Sequence, residues 1–125
     1  MISVVIPTFN RADALARTID SFFAQHDLDR IRHELLIIDN NSPDHTGDVV
    51  RARMAQGRPL RLIRETQQGL CFARNRGIAE SIGEVVAFLD DDVLLDADWL
   101  RHLAERFDDG ADVVGGRALL HWEQP

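Results

Sequence analysis

Three stretches of this chain are apolar without alternation: ISVVIP (residues 2–7), HELLIID (33–39) and GEVVAFLD (83–90). A strand with one wet face alternates apolar and polar side chains. A continuous run of this length belongs to a strand buried on both faces. Both faces of its sheet must then be covered, and the intervening segments must supply the cover. RADALARTIDSFFAQ (11–25) places Ala12, Leu15, Ile19, Phe22 and Phe23 at helical spacing, with the Phe pair in the core. Asn10 is the expected N-cap of that helix, and Asp13 stands where a capping box needs it. Further helices are predicted over 43–56, opened by Ser42-Pro43, over 70–82 despite Gly77, and over 97–107, capped by Asp96. In the second of these, Gly77 is expected to allow close helix–sheet packing and Cys71 to lie in the core. LRLIRE (60–65) alternates and reads as a strand nearer an edge, and DVVGG (112–116) begins another.

Strand and helix thus alternate, with connections too long for hairpins. The expected fold class is α/β: a mostly parallel sheet with helices on both faces, Rossmann-like, in one domain over residues 1–125. Parallel strands end on one edge, and open α/β sheets bind ligands there. The polar clusters expected at that edge are Pro7-Thr8-Phe9-Asn10, Asp39-Asn40-Asn41-Ser42 and Asp90-Asp91-Asp92.

Charge excludes several functions. The net charge of −7 argues against general nucleic-acid binding, which neutralises phosphates with cations. All 14 basic residues are arginine. Schiff-base chemistry, a phosphate-loop lysine and a receiver-domain lysine are therefore ruled out, and any phosphate falls to Arg. One cysteine precludes an internal disulfide framework and suits a reducing cytosol. The start, MISVVIPTFNR, lacks the pattern of a secretory signal, and no apolar run is long enough to span a bilayer. A cytoplasmic location follows as the expectation, with peripheral association at the inner membrane face open.

Adjacent carboxylates repel, so three in a row at a ligand-binding edge call for a cation. In extended chain Asp90 and Asp92 point the same way and can face one hard ion, Mg²⁺ or Mn²⁺, with Asp91 turned elsewhere. The competing reading is an acidic turn that caps the next helix, the role assigned to Asp96 and Asp98. Asp39 reads either as a ligand to a base or ribose or as the acceptor of an Asx turn; Asn41 and Ser42 take the turn role. Arg74 reads either as a partner of phosphates or the acidic cluster, or as a structural ion pair, and Arg76 as a solvated residue. The five histidines have no metal-site spacing and are assigned to the surface.

Taken in order, VVIPTFNR, LLIIDNNSPDHT, GLCFARNRGIAESIGEVVAFLDDD and DADWL resemble the opening half of a family-2 glycosyltransferase, an inverting enzyme of the GT-A fold that uses nucleotide-diphospho-sugars. The resemblance covers nearly the whole chain. It implies that Pro7, Thr8 and Asn10 line the nucleoside pocket, that Asp39 contacts the base, and that Asn40 stands beside it. It implies that Asp90 and Asp91 approach ribose and diphosphate, that Asp92 is the principal metal ligand with Asp90 beside it, and that Arg74 neighbours the diphosphate or sugar. Mn²⁺ or Mg²⁺ is the implied cofactor. The implied partners are a nucleotide-sugar donor and a glycan, lipid or protein acceptor in envelope or polysaccharide synthesis. Many members carry a second acid where this chain has Asn40, which leaves the nucleobase open. The family's general base lies in a later half, so the chain is expected to be a truncated donor-binding part, inactive alone. Apolar surface is expected around Val113, Val114, Leu119, Leu120 and Trp122, where the missing half would pack.

Rival readings are a receiver domain, a nucleotidyltransferase and a non-catalytic nucleotide- or sugar-binding module. The first needs acids after strand one and a lysine, and the second a glycine-rich basic loop. PTFNRAD is neither. The third shares every residue named above and stays open.

Overall fold

The computed structural model describes residues 1–112. Residues 113–116 of the expected strand at 112–116, and the apolar residues Val113 to Trp122, lie outside the described residues. Four strands, β1 (Ile2–Thr8), β2 (His33–Asp39), β3 (Arg61–Arg64) and β4 (Val85–Phe88), form one parallel sheet in the order β3-β2-β1-β4. Four helices connect or follow them: α1 (Ala12–Phe23), α2 (Thr46–Ala55), α3 (Leu70–Glu80) and α4 (Trp99–Asp108). ISVVIP and HELLIID occupy the centre, as continuous hydrophobicity demands, and β3 lies at one edge as its alternation predicts; GEVVAFLD, the third continuous run, instead forms the other edge as β4, with its side chains half-buried or exposed.

Each central strand feeds two cores. Val4, Ile6, Leu35 and Ile37 face Leu15, Ile19 and Phe22 of α1, Val50 of α2 and Leu100 of α4. Val5, Leu36 and Ile38 face the other way, onto Ala73 of α3. Each fully buried side chain of this kind contributes about 1.5–3 kcal/mol. Helix α3 lies close because of Gly77: a Cβ there would run into Val5 Cγ1. The start of β4 is fixed by two contacts the sequence does not advertise. Gly83 N–H donates to Ser3 Oγ at 2.8 Å, and Ile82 N–H donates to Glu34 Oε2 at 2.8 Å. Burial alone would push the Glu34 carboxyl up, but Ile82, Ser3 and Arg61 together hold it below its usual range.

Several local expectations are corrected. Asn10 does not cap α1. It sits at φ 54, in the left-handed region that Asn tolerates, and Arg11 takes the N-cap place without a side-chain bond. The Ala12 amide is capped from across the fold instead, by Asp44 Oδ2 at 3.3 Å. The same Asp44 accepts Thr46 N–H at 3.1 Å, so α2 opens at Thr46 rather than at Pro43. Strand β4 is four residues long, shorter than its apolar run. Cys71 is exposed rather than core, because α3 buries only Ala73 and Gly77. Arg76 is not merely solvated: its Nε pairs with Glu80 at 3.1 Å.

Candidate functional site

The carboxyl ends of β1, β2 and β4 open on a cleft of about 530 Å³. Of the residues singled out from sequence, Pro7, Thr8, Asn40, Arg74, Asp90, Asp91 and Asp92 line it. Asn10, which is exposed, and Asp39, which is buried, are not among the lining residues. Three chain segments far apart in sequence meet here because parallel strands finish together.

The acidic cluster is held by β1 and the residue that follows its loop. Leu89 N–H donates to Val5 O at 2.9 Å, extending the β1–β4 pairing by one step. That brings Asp91 to Thr8, whose Oγ1–H donates to Asp91 Oδ2 at 2.9 Å. Asp91 is buried, and burial pushes its carboxyl up. The Thr8 hydroxyl and the Arg11 guanidinium oppose that rise, Asp92 adds to it, and the net direction is upward. Arg11 Nη1 lies 2.9 Å from Asp92 Oδ2 and 3.6 Å from Asp91 Oδ1. Asp90 is exposed and has no hydrogen-bond or ion-pair partner among the described residues. Asp91 and Asp92 form a turn, so the extended-chain argument that aligned Asp90 with Asp92 stops at Asp90. Both nevertheless line the cleft.

The end of β2 is more structural than the sequence suggests. Asp39 Oδ1 accepts Ser42 N–H at 3.0 Å, which is the Asx-turn role, and Arg64 Nη1 approaches its other oxygen at 3.8 Å. Ser42 Oγ in turn accepts Asn10 N–H at 3.0 Å and ties the first two loops together. Asn40 is buried and fully committed. Its Nδ2 donates to Glu65 O at 3.3 Å and Gln67 O at 2.7 Å, and its Oδ1 accepts Gly69 N–H at 2.9 Å. Two carbonyls and one amide require an amide side chain, since a carboxylate cannot donate. This bond set places the N-terminus of α3 at the cleft, where Gly69 and Leu70 form part of the wall.

Arg74 projects from α3 into the same cleft. It is exposed, and its guanidinium lies 6.0 Å from the Phe88 ring centroid. No carboxylate pairs with it among the described residues, so the structural ion pair considered for it is not formed. Arg11 is the residue that sequence reasoning missed. Its signal was position alone, an arginine directly after the expected ligand loop PTFN.

The carboxylate oxygens of Asp90 and Asp92 suit a hard divalent ion such as Mn²⁺ or Mg²⁺. Among the described residues no three ligating side chains assemble into a cage. A two-carboxylate set fits the kind of site in which phosphates and waters complete the shell.

Comparison with known proteins follows the same lines. A glycosyltransferase of Haloferax volcanii, AglE, is 35% identical over 117 residues, which cover 92% of this chain and 38% of that protein. The GalNAc(5)-diNAcBac-PP-undecaprenol beta-1,3-glucosyltransferase of Campylobacter jejuni is 33% identical over 124 residues, covering 98% of this chain and 39% of that protein. The chain thus spans under two-fifths of the length of these curated relatives. Among solved structures, the mannosyltransferase PcManGT of Pyrobaculum calidifontis, in complex with GDP-Man and Mn²⁺, superposes with a TM-score of 0.78 at 29% identity, over 87% of this chain and 32% of that one. TarS of S. aureus, residues 1–349, superposes with a TM-score of 0.78 at 22% identity, over 96% of this chain and 38% of that one, and so shares the fold. That fold is the GT-A α/β architecture expected from the sequence, here as part of a longer unit in its relatives. The sequence model of glycosyl transferase family 2 matches residues 3–121, and the chain belongs to that family.

Proposed function

We propose that residues 1–125 are the donor-binding part of an enzyme that transfers a sugar from a nucleotide-diphospho-sugar to an acceptor hydroxyl, with inversion and with the help of a divalent cation. The observation that carries this reading is the composition of one cleft wall. Asp90 and Asp92 lie with Arg74 and the start of α3 at the carboxyl edge of a parallel sheet. Carboxylates for a cation, a guanidinium for phosphate and a helix N-terminus for anionic oxygens are the groups a metal–diphosphate needs. Family membership and the GDP-Man and Mn²⁺ bound to PcManGT support the same assignment.

In this reading Pro7, Thr8 and Asn10 shape the nucleoside end, and Asp39 contacts the base. Asn40 acts through the loop it holds. Asp90 and Asp91 face ribose and diphosphate, with Thr8 holding Asp91 in place, and Arg74 orients the diphosphate. Asp92, with Asp90, holds the cation, which when bound supplies charge neutralisation for the leaving diphosphate. None of these residues is assigned as the general base that activates the acceptor hydroxyl. The acceptor class is a glycan, lipid or protein, and the lipid-linked substrate in the name of the Campylobacter relative supports a lipid-linked one. No helix among the described residues is long and apolar enough to cross a membrane. A cytoplasmic site of action, at the membrane face for such an acceptor, belongs to this proposal.

Calorimetric titration with UDP, GDP and dTDP, each with and without Mn²⁺, tests the reading on the wild-type chain and on Asp92→Ala. Metal-dependent binding of one nucleotide, lost in the variant, is the expected result. Binding of none of them with metal present overturns the donor assignment. Binding without sugar transfer by the full-length protein would assign a non-catalytic module instead.

A further inference from the structure

The role of Arg11 is open once the acids and Arg74 are assigned. Its backbone is fixed, because its carbonyl accepts Leu15 N–H at 2.9 Å in the first turn of α1. Its side chain is 56% exposed and, among the described residues, pairs only with the rim carboxylates. It bonds Asp92 at 2.9 Å and approaches Asp91 at 3.6 Å, so one cation serves two of the three acids. Asp90, the third acid, has no partner among the described residues. A half-exposed ion pair is cheap to break, because water re-solvates both ends. The same guanidinium also forms part of the cleft wall, where an anionic ligand would find it.

We propose that Arg11 is a displaceable counter-cation: it occupies Asp92 while the cleft is empty and exchanges to the phosphate oxygens of the nucleotide when a divalent ion takes the carboxylate. The inference rests on the assignment of the cleft to a metal–nucleotide. It makes Arg11 a competitor of the free metal and an ally of the metal–nucleotide complex. Two cations on one carboxylate repel, so the bare ion must displace the guanidinium to bind. With the diphosphate present, the displaced guanidinium gains a bidentate acceptor within the same cleft. The chain would thereby favour metal that arrives with its nucleotide over metal alone.

The opposing signs make the test selective. Mn²⁺ binding alone, read by electron paramagnetic resonance of the free ion, and Mn²⁺–nucleoside diphosphate binding, read by calorimetry, are measured on wild type, Arg11→Met and Arg11→Lys. Arg11→Met keeps the stem and removes the charge. It should bind bare Mn²⁺ about twofold to fivefold tighter and the metal–nucleotide at least about twofold weaker, shifts of the size that exposed charge pairs carry. Arg11→Lys keeps the competing charge, so it should leave bare Mn²⁺ affinity near the wild-type value and recover only part of the nucleotide affinity, lacking the fork. A merely structural role would weaken both affinities together in Arg11→Met, and that outcome, or no change in either, overturns the inference. Failure of the wild type itself to bind metal–nucleotide would instead overturn the donor assignment on which the inference rests.

Discussion

Asn40→Asp exchanges one nitrogen for one oxygen and should be among the most damaging conservative changes in this fold. The wild-type amide donates to Glu65 O and Gln67 O and accepts from Gly69 N–H. A carboxylate keeps the last bond and loses both donations. Each lost bond to a buried carbonyl costs about 1 kcal/mol. Holding an ionised group beside two carbonyl oxygens in a buried position adds about 1–2 kcal/mol. The expected loss is therefore about 3–4 kcal/mol near neutral pH, a large fraction of a domain's stability. The loss should also depend on pH. The new carboxyl, when protonated, can donate one of the two missing bonds, so its folded-state pKa lies above its unfolded value of about 3.9. The folded variant then binds the proton more tightly than the unfolded chain, and the penalty grows as pH rises through that window. Urea unfolding of wild type and Asn40→Asp at pH 4.5 and 7.5 measures both effects, with Asn40→Ala as the uncharged reference. A destabilisation below about 1 kcal/mol at pH 7.5, or one equal at the two pH values, would refute the bonding scheme.

Three further outcomes follow from the same structure. Gly77→Ala should destabilise by about 1–3 kcal/mol despite the better helix propensity of alanine, because its methyl would strike Val5; thermal unfolding should show Val5→Ala restoring part of the loss. Asp44→Ala removes the acceptor shared by Thr46 and Ala12 and should cost about 1–2 kcal/mol. The Thr46 hydroxyl bond holds the Asp44 carboxyl below its usual range, so the charge-dependent part of this contribution is full above the unfolded pKa and is lost as pH falls through the folded one; the gap between variant and wild type should narrow in acid unfolding scans. Asp91 is the opposite case: burial raises its carboxyl, so wild-type stability falls as pH climbs above the unfolded value. Asp91→Asn can still accept from Thr8 without a charge, so its melting temperature should exceed the wild type's at pH 7 but not below about pH 3.9, and a lower value at pH 7 would contradict that assignment.

The sheet was legible because its signal is local and redundant. Runs such as ISVVIP and HELLIID can satisfy their side chains only between two covered faces, and they fall in the two central strands. The convergence of Thr8, Asn40 and Asp90 to Asp92 on one cleft followed from strand direction alone. What escaped the sequence depends on partners far along the chain. Asn10 has the composition of a cap, yet the first amide of α1 is satisfied by Asp44, 32 residues on. Asn40 stood out only as a departure from the second acid of the resembled family, whereas three backbone partners in the segment from Glu65 to Gly69 explain its amide. Arg11 was silent because only the β1–β4 pairing brings it to Asp91 and Asp92. Cys71 was misplaced because helical spacing in α3 is weak, with only Ala73 and Gly77 buried.

A cation held at Asp90 and Asp92 beside a nucleotide would show itself in paramagnetic broadening of backbone amide signals. Substoichiometric Mn²⁺ is added to the isotopically labelled chain in the presence of the nucleoside diphosphate it binds. The signals of Asp90, Asp91, Asp92, Thr8 and Leu70 should be lost selectively, with α2 and the amino ends of the strands spared. In Asp92→Ala the loss should require much more metal. Broadening centred elsewhere, or spread evenly over the acidic surface of a chain with net charge −7, would contradict it.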